Sequence, residues 1–168
     1  MQEIIVRKVK PEEKDTVFLL LKESGEWLNE KGIDYWQVYI DLPPFLMNWI
    51  QPGFENDEFY FAESNKGEIV GCFRLQDEDS MFWGERDDKA GYIHSFAVSR
   101  KLAGQRTGYK ILSAIESYCR KNGNDYLRLD CGTHLDTLRA YYEGFGFGYV
   151  TDVHLMNSNL TLYEKRIA

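Results

Sequence analysis

The sequence has no long hydrophobic run. Its longest unbroken apolar block, Val17 to Leu21, is five residues, far short of the roughly 20 that cross a bilayer, so no membrane-spanning helix is expected. The start, Met1-Gln2-Glu3-Ile4-Ile5-Val6-Arg7, lacks the apolar centre of a signal peptide, which sets the expected location as cytoplasmic. Cysteine is scarce. Cys72, Cys119 and Cys131 are three and cannot all pair, so reduced, buried thiols are expected. No spacing of His, Cys, Asp and Glu suggests a metal site. Bases are in deficit, 20 Lys and Arg against 27 Asp and Glu for a net charge of -7. That balance excludes the broad basic surface that nucleic-acid binding draws on. There is no internal repeat and no low-complexity tract.

What is present is enough for one core. With 168 residues, 43% apolar and 15% aromatic, residues 1–168 are expected to form a single domain. Glu3 to Val9 reads as a first strand, and Pro11 stands where a helix can begin. Val17, Leu20, Leu21, Ser24, Trp27 and Leu28 fall at helical spacing up to a stop at Gly32, leaving Ile33-Asp34-Tyr35-Trp36 as an aromatic loop. Pro43-Pro44 opens a second helix through about Gln51. Phe59–Glu63 and Ile69–Leu75 flank Ser64-Asn65-Lys66-Gly67 and predict a hairpin. The segment Asp77 to Lys89 is expected as a loop or strand-end extension, with six acids around Met81-Phe82-Trp83. Then come a strand at Gly91–Val98, an amphipathic helix carrying Ile111, Leu112, Ile115, Tyr118 and Cys119, and a strand at Tyr126–Cys131. A short helix from Asp136 to Gly144 and strands at Phe147–Val153 and Leu160–Arg166 complete a mixed α/β chain. The strand, helix, strand unit implies at least one right-handed parallel crossover.

The most informative stretch is Phe96 to Leu112, a strand that passes through a glycine-bearing turn into a helix. Between Ser99 and Ala114 stand four bases, Arg100, Lys101, Arg106 and Lys110, and no acid, a local reversal of the overall sign. Gly104 and Gly108 let backbone N–H groups turn outward, and the helix adds its unpaired first-turn donors and positive dipole end. Such a nest suits a pyrophosphate. An ordinary loop also uses glycine for turn geometry.

Here the chain resembles the GNAT superfamily of acyl-CoA-dependent N-acyltransferases. The family's turn usually reads Gln/Arg-x-x-Gly-x-Gly/Ala, and the matching frame is Ala103-Gly104-Gln105-Arg106-Thr107-Gly108, with Ala103 where Gln or Arg is usual and Arg106 where Gly is usual. Leu138-Arg139-Ala140-Tyr141-Tyr142-Glu143-Gly144-Phe145 resembles the family's Leu-Tyr-x-x-x-Gly-Phe ending, with Tyr142 on the motif tyrosine and Leu135 where Asn is common. Trp27-Leu28-Asn29-Glu30-Lys31-Gly32-Ile33 looks like the Trp-Leu-x-x-x-Gly-Ile of bacterial members. The resemblance implies an α/β (α+β) fold: a mixed, mostly antiparallel central sheet with a splayed parallel strand pair and about four helices. It also implies acetyl-CoA as donor, with the pyrophosphate on the amides of Gly104, Gln105, Arg106, Thr107, Gly108 and Tyr109. The pantetheine arm would then pair with the edge of Phe96, Ala97 and Val98. Lys101 and Ala103 fall within the same segment, and Arg100, Lys101, Arg106 and Lys110 are either contacts to the remaining phosphate or solvated side chains.

Acetylation of an amine by a thioester needs a deprotonated amine, a polarised carbonyl and a proton for the departing thiolate. The resemblance places Tyr142 as the proton donor; Tyr141, Phe145, Phe147 and Tyr149 beside it also fit an aromatic core. His94 is the candidate base, on one strand face with Tyr92, Phe96 and Val98 by the period of two. It resembles the second of two histidines that arylalkylamine N-acetyltransferases carry on this strand, with Tyr92 replacing the first. A lone strand histidine also fits a structural role. His134 is read as structural, Asp130 as either a cleft carboxylate or, as strand-end Asp more often is, bonded to backbone N–H groups, and Cys131 as unsuited to hold an acyl group, so direct transfer in a ternary complex is expected. Trp27, Tyr35, Trp36 and Tyr39 form an expected acceptor-side aromatic rim, while Asp77 to Asp88 can attract a cation; core packing and solubility are the competing explanations. A small-molecule or peptide amine acceptor and a possible homodimer are expected. A non-catalytic acyl-CoA-binding module is the alternative function, and a purely structural interaction domain is a third.

Overall fold

In the computed structural model, which describes residues 3–168, seven strands form one mixed sheet and five α-helices accompany it. Met1 and Gln2 of the expected leaderless start lie outside the described residues. The strands are β1 (Ile4–Lys8), β2 (Phe59–Ser64), β3 (Ile69–Gln76), β4 (Ala90–Val98), β5 (Tyr126–Gly132), β6 (Gly148–Leu155) and β7 (Ser158–Arg166). Their order is β1-β2-β3-β4-β5-β7-β6. The helices are α1 (Lys14–Glu30), α2 (Pro44–Glu55), α3 (Ser80–Trp83), α4 (Thr107–Lys121) and α5 (Asp136–Phe145). Among the described residues no helix is long and apolar enough to cross a membrane.

The chain divides into two compact units, one comprising the residues up to Arg74 with Ser95–Ala114, the other Leu75–His94 with Ile115–Ala168. Both β4 and α4 contribute residues to each unit. In the first, β1 and β2 pair antiparallel from Ile4↔Ser64 to Lys8↔Tyr60, and β2 and β3 form the expected hairpin. Its turn is closed by the Gly67 amide donating to the Ser64 carbonyl at 2.9 Å, with Gly67 at φ +78°. The apolar stripe of α1, Val17, Leu20 and Leu21, packs with Leu46 and Ile50 of α2 and with Phe59, Phe61 and Cys72 of the hairpin. The helical spacing of those residues, and the alternation of the strands, thus produce the core the sequence predicts.

In the second unit β5 pairs antiparallel with β7 over seven residue pairs, and β7 pairs with β6. β4 pairs with β5 in parallel over Ala90↔Tyr126, Gly91↔Leu127 and Tyr92↔Arg128 only. The pivot here is Arg128, whose side chain is 1% exposed. Its guanidinium donates to both carboxylate oxygens of Asp88 at 2.6 and 2.7 Å, to the Tyr92 hydroxyl at 2.9 Å and to Glu164 at 3.1 Å. Three residues, Asp88, Tyr92 and Glu164, therefore satisfy one buried charge, as burial of a cation demands.

Three details depart from the sequence reading. The segment Asp77–Lys89 contains α3, a single helical turn that buries Trp83 against Ala90, Tyr92 and Leu162; one turn is too short to show a helical period, so four helices become five. The second helix runs past Gln51 to Glu55 with Pro52 inside it, its last turn anchored by the stacking of Phe54 on Phe59 at 4.2 Å between ring centroids. The last two strands extend toward each other until only Met156 and Asn157 separate them, both at left-handed φ of +51° and +59°, the geometry of a tight two-residue hairpin turn.

Gly71 on β3 is required by close approach. A Cβ there would stand 2.6 Å from the Ala97 carbonyl oxygen and 2.7 Å from Ile111 Cδ1, and the carbonyl is backbone that cannot rotate away. Gly71→Ala is expected to destabilise the protein by about 1–3 kcal/mol, seen as a lowered thermal midpoint by circular dichroism; an unchanged midpoint would contradict the packing described.

Candidate functional site

In the first unit the sequence-predicted turn leaves β4 at Ser99, whose amide donates to the Val70 carbonyl at 2.9 Å. A 3₁₀ turn covers Arg100–Leu102, and the chain reaches α4 through Gly104 at φ +79° and Arg106 at φ +55°. Space around Gly104 is open on the side a Cβ would occupy, so its glycine serves conformation alone. Arg106, where the family motif has glycine, takes a left-handed backbone at a cost of about 1 kcal/mol. Arginine thus stands in a conformation that glycine adopts more readily. Lys101, Ala103, Gly104, Gln105, Arg106 and Lys110 are exposed, whereas Thr107 and Gly108 are buried and Tyr109 is half-buried. As residues of the first turn of α4, Thr107 and Gly108 have no helical carbonyl four residues back to receive their amides. Exposed bases beside first-turn amide donors at a helix N-terminus have the chemistry to receive an anion.

Arg100 takes a different part. Its guanidinium lies over the Trp27 ring at 4.5 Å, burial lowers its pKa, and its Nε is buried without a hydrogen-bond partner. Trp27 and Arg100 thus pack on each other, which ties the expected acceptor-side tryptophan to the residue that follows β4.

Phe96, Ala97 and Val98 end β4, Ala97 buried and its neighbours half-buried. Within β4, between His94 and Phe96, Ser95 takes a left-handed φ of +50°. Ser95 is held in place by the Cys72 thiol, which donates to its carbonyl at 3.8 Å, and by a 3.4 Å hydroxyl contact with Tyr39. Tyr39 belongs to an aromatic chain: Tyr35 stacks on Trp36 at 5.7 Å and Trp36 meets Tyr39 edge-on at 5.0 Å. Trp36 itself takes a left-handed φ of +66°.

The second unit gathers the titratable residues. His94 sits between two carboxylates, Nε2 at 2.6 Å from Asp79 Oδ2 and Nδ1 at 3.5 Å from Asp130 Oδ2. Phe82 covers the imidazole at 4.8 Å. The side chains of His94, Asp79 and Asp130 are 8%, 6% and 10% exposed. The expected backbone N–H partner is not found at Asp130 Oδ2, which is buried with no hydrogen-bond partner. Burial pushes its pKa up to about 6, the nearby imidazole opposing and Asp79 reinforcing. Asp79 escaped the sequence reading because it looks like one more acid in a solvated loop. The signal was the Met81-Phe82-Trp83 triplet, of which Trp83 is buried and Phe82 half-buried while Met81 is exposed, and with Asp88 bound to Arg128 two of the six acids expected to draw a cation are engaged internally.

Tyr142, on α5, is buried against Tyr141 and Phe147, both edge-on at 5.7 and 5.9 Å. Phe145 stacks on Phe147, while Tyr149 is exposed and outside this cluster. Burial lifts the Tyr142 pKa well above its ordinary value, and the charge of Asp130 acts on it in the same direction. The phenol therefore stays protonated. Cys131 is pushed up to about 12 by burial, which keeps it a thiol and removes it as a nucleophile. His134 is exposed.

The acetyltransferase (GNAT) family model matches residues 21–147. The uncharacterised N-acetyltransferase YesJ of Bacillus subtilis is 27% identical over 165 residues, covering 93% of this chain and 86% of YesJ. A crystal structure of a GNAT-family acetyltransferase from Listeria monocytogenes superposes with a TM-score of 0.76 at 24% identity, covering 97% of this chain and 94% of that one. Another, from Streptococcus agalactiae, gives a TM-score of 0.78 at 19% identity over 97% and 95%. These two structures share the fold.

The carboxyl of Asp130 binds its proton more tightly folded, near pKa 6, than at its ordinary value of 3.8. Its contribution to stability is fully present below the lower value and is lost as pH rises through the higher. Asp130→Asn is expected to be more stable than the wild type by up to about 3 kcal/mol near pH 7, the difference vanishing below about pH 4. Urea unfolding across pH checks this; a variant no more stable than wild type at neutral pH would contradict the burial.

Proposed function

The chain belongs to the GNAT acetyltransferase family, and from that premise we propose that it transfers an acetyl group from acetyl-CoA to a primary amine by direct transfer in a ternary complex. We read both compact units as parts of one catalytic domain, since β4 and α4 run through each. The observation that carries the reading is the turn before α4. Its left-handed Gly104 and Arg106, exposed bases and first-turn amides fit the pyrophosphate of coenzyme A in kind and in charge. Coenzyme A would supply the acetyl group as an activated thioester, held by Lys101, Ala103, Gly104, Gln105, Arg106, Thr107, Gly108 and Tyr109 along its phosphates and by Phe96, Ala97 and Val98 along its arm.

The remaining steps fall to side chains. Tyr142, kept protonated by burial, is the hydrogen-bond and proton donor to the departing sulfur. His94 takes a proton from the amine, and Asp79 at 2.6 Å holds the imidazole and stabilises the cation formed. Over the whole reaction the amine nitrogen loses two protons; one restores Tyr142 and one leaves through His94. A protonated, buried Cys131 supports transfer without an acyl-enzyme. Trp27, Tyr35 and Trp36 are assigned to the acceptor side, and three free, buried cysteines fit a reducing cytoplasm.

Calorimetric titration with acetyl-CoA should give micromolar binding, weakened about tenfold by Arg106→Glu, the equivalent of about 1.4 kcal/mol. Tyr142→Phe should lower amine-dependent thiol release about 100-fold with acetyl-CoA affinity unchanged. Binding without thiol release for any amine would instead identify a non-catalytic acyl-CoA-binding module.

A further inference from the structure

Asp130 is a buried carboxylate that the fold does not satisfy. Its Oδ2 has no hydrogen-bond partner, its side chain is 10% exposed, and His94 Nδ1 lies 3.5 Å away. That imidazole is already committed on its other side to Asp79 at 2.6 Å. A carboxylate buried in this state costs stability that an asparagine of the same shape would not. Two carboxylates around one imidazole also leave the cluster short of positive charge by one, even with His94 protonated.

We propose that Asp130 is the receptor for the acceptor's ammonium group, and that this selects aliphatic primary amines, which arrive charged, over arylamines, which arrive neutral. This rests on the acetyltransferase reading above and names the substrate class of the same site. An ammonium brings three N–H donors and one positive charge, which supplies the missing partner of Oδ2 and offsets one of the two carboxylate charges beside the neutral imidazole. Proton transfer then needs no further group. Asp79 accepts the Nε2–H of His94, which turns the Nδ1 lone pair toward Asp130. One N–H bond of the bound ammonium breaks and an N–H bond forms at Nδ1. The positive charge moves onto an imidazole flanked by both carboxylates, and the amine is left with the lone pair that attacks the acetyl carbonyl. Asp130 thereby binds the amine and His94 takes its proton.

Benzylamine and aniline, alike in ring and unlike in charge at neutral pH, are the probes. Thiol release is measured with each for wild type and Asp130→Asn, beside acetyl-CoA affinity and thermal stability, with Asp130→Ser as a second variant. The expected result is a loss of at least 100-fold in kcat/KM for benzylamine and less than fivefold for aniline. Acetyl-CoA affinity should stay within twofold and the thermal midpoint should rise. A merely structural Asp130 would instead give equal losses for both amines and a lowered midpoint, and that result overturns the assignment. Where wild type binds acetyl-CoA but transfers to neither probe, benzylamine is titrated into the CoA-saturated protein. Affinity at least tenfold weaker in Asp130→Asn supports the site, and equal affinity overturns it while leaving the coenzyme site standing. Wild type that fails to bind acetyl-CoA overturns the proposed function and this assignment together.

Discussion

The functional reading turns on one backbone torsion. Ser95 lies in the middle of β4 with φ +50°, a conformation that costs a serine about 1–2 kcal/mol and ends the regular pleat. Two contacts from the packed interior, the Cys72 thiol to its carbonyl and the Tyr39 hydroxyl to its own, hold it there. Before this break the strand presents Tyr92 to Arg128 and His94 to two carboxylates. After it, Phe96 to Val98 run out to the cationic turn that opens α4. A regular strand would have carried one alternation through all of these residues.

Charge is sorted along the chain in the same way. The stretch from Ser99 to Ala114 is purely basic in a protein of net charge -7, and its bases are largely exposed where they can meet a polyanion. The carboxylates of Asp79 and Asp130 are buried beside His94, where water screens them less than at the surface, and the charge of Asp130 also acts on Tyr142. A polyphosphate carrier and a cationic amine are the two ligands that such an arrangement favours. The chain's own residues resolve only part of the second: Asp79 is satisfied by His94, and Asp130 is left waiting for a donor.

Much of the architecture was legible in the sequence because it is local. Helical spacing in α1 and α4, alternation in the β2–β3 hairpin and the glycine before α4 each report on a few consecutive residues. The features that escaped are those made by distant residues. Asp79, His94 and Asp130 are separated by 15 and 36 positions, and nothing near any one of them marks the others. Ser95 and Arg106 adopt left-handed backbones without the glycine that would announce them. The second helix, expected through about Gln51, continues past Pro52 to Glu55, where Phe54 stacks on Phe59. Tyr142 was visible as a motif residue, but only the fold shows that it is buried and held protonated.

The most direct test of the central claim is a backbone amide map: ¹H–¹⁵N spectra of the labelled protein recorded with and without acetyl-CoA. The account predicts that the largest shifts fall on Gly104 to Tyr109, whose amides receive the pyrophosphate, and on Phe96 to Val98, whose edge receives the arm. Shifts centred on other segments, or none at saturating acetyl-CoA, would show that the turn before α4 is not the coenzyme site.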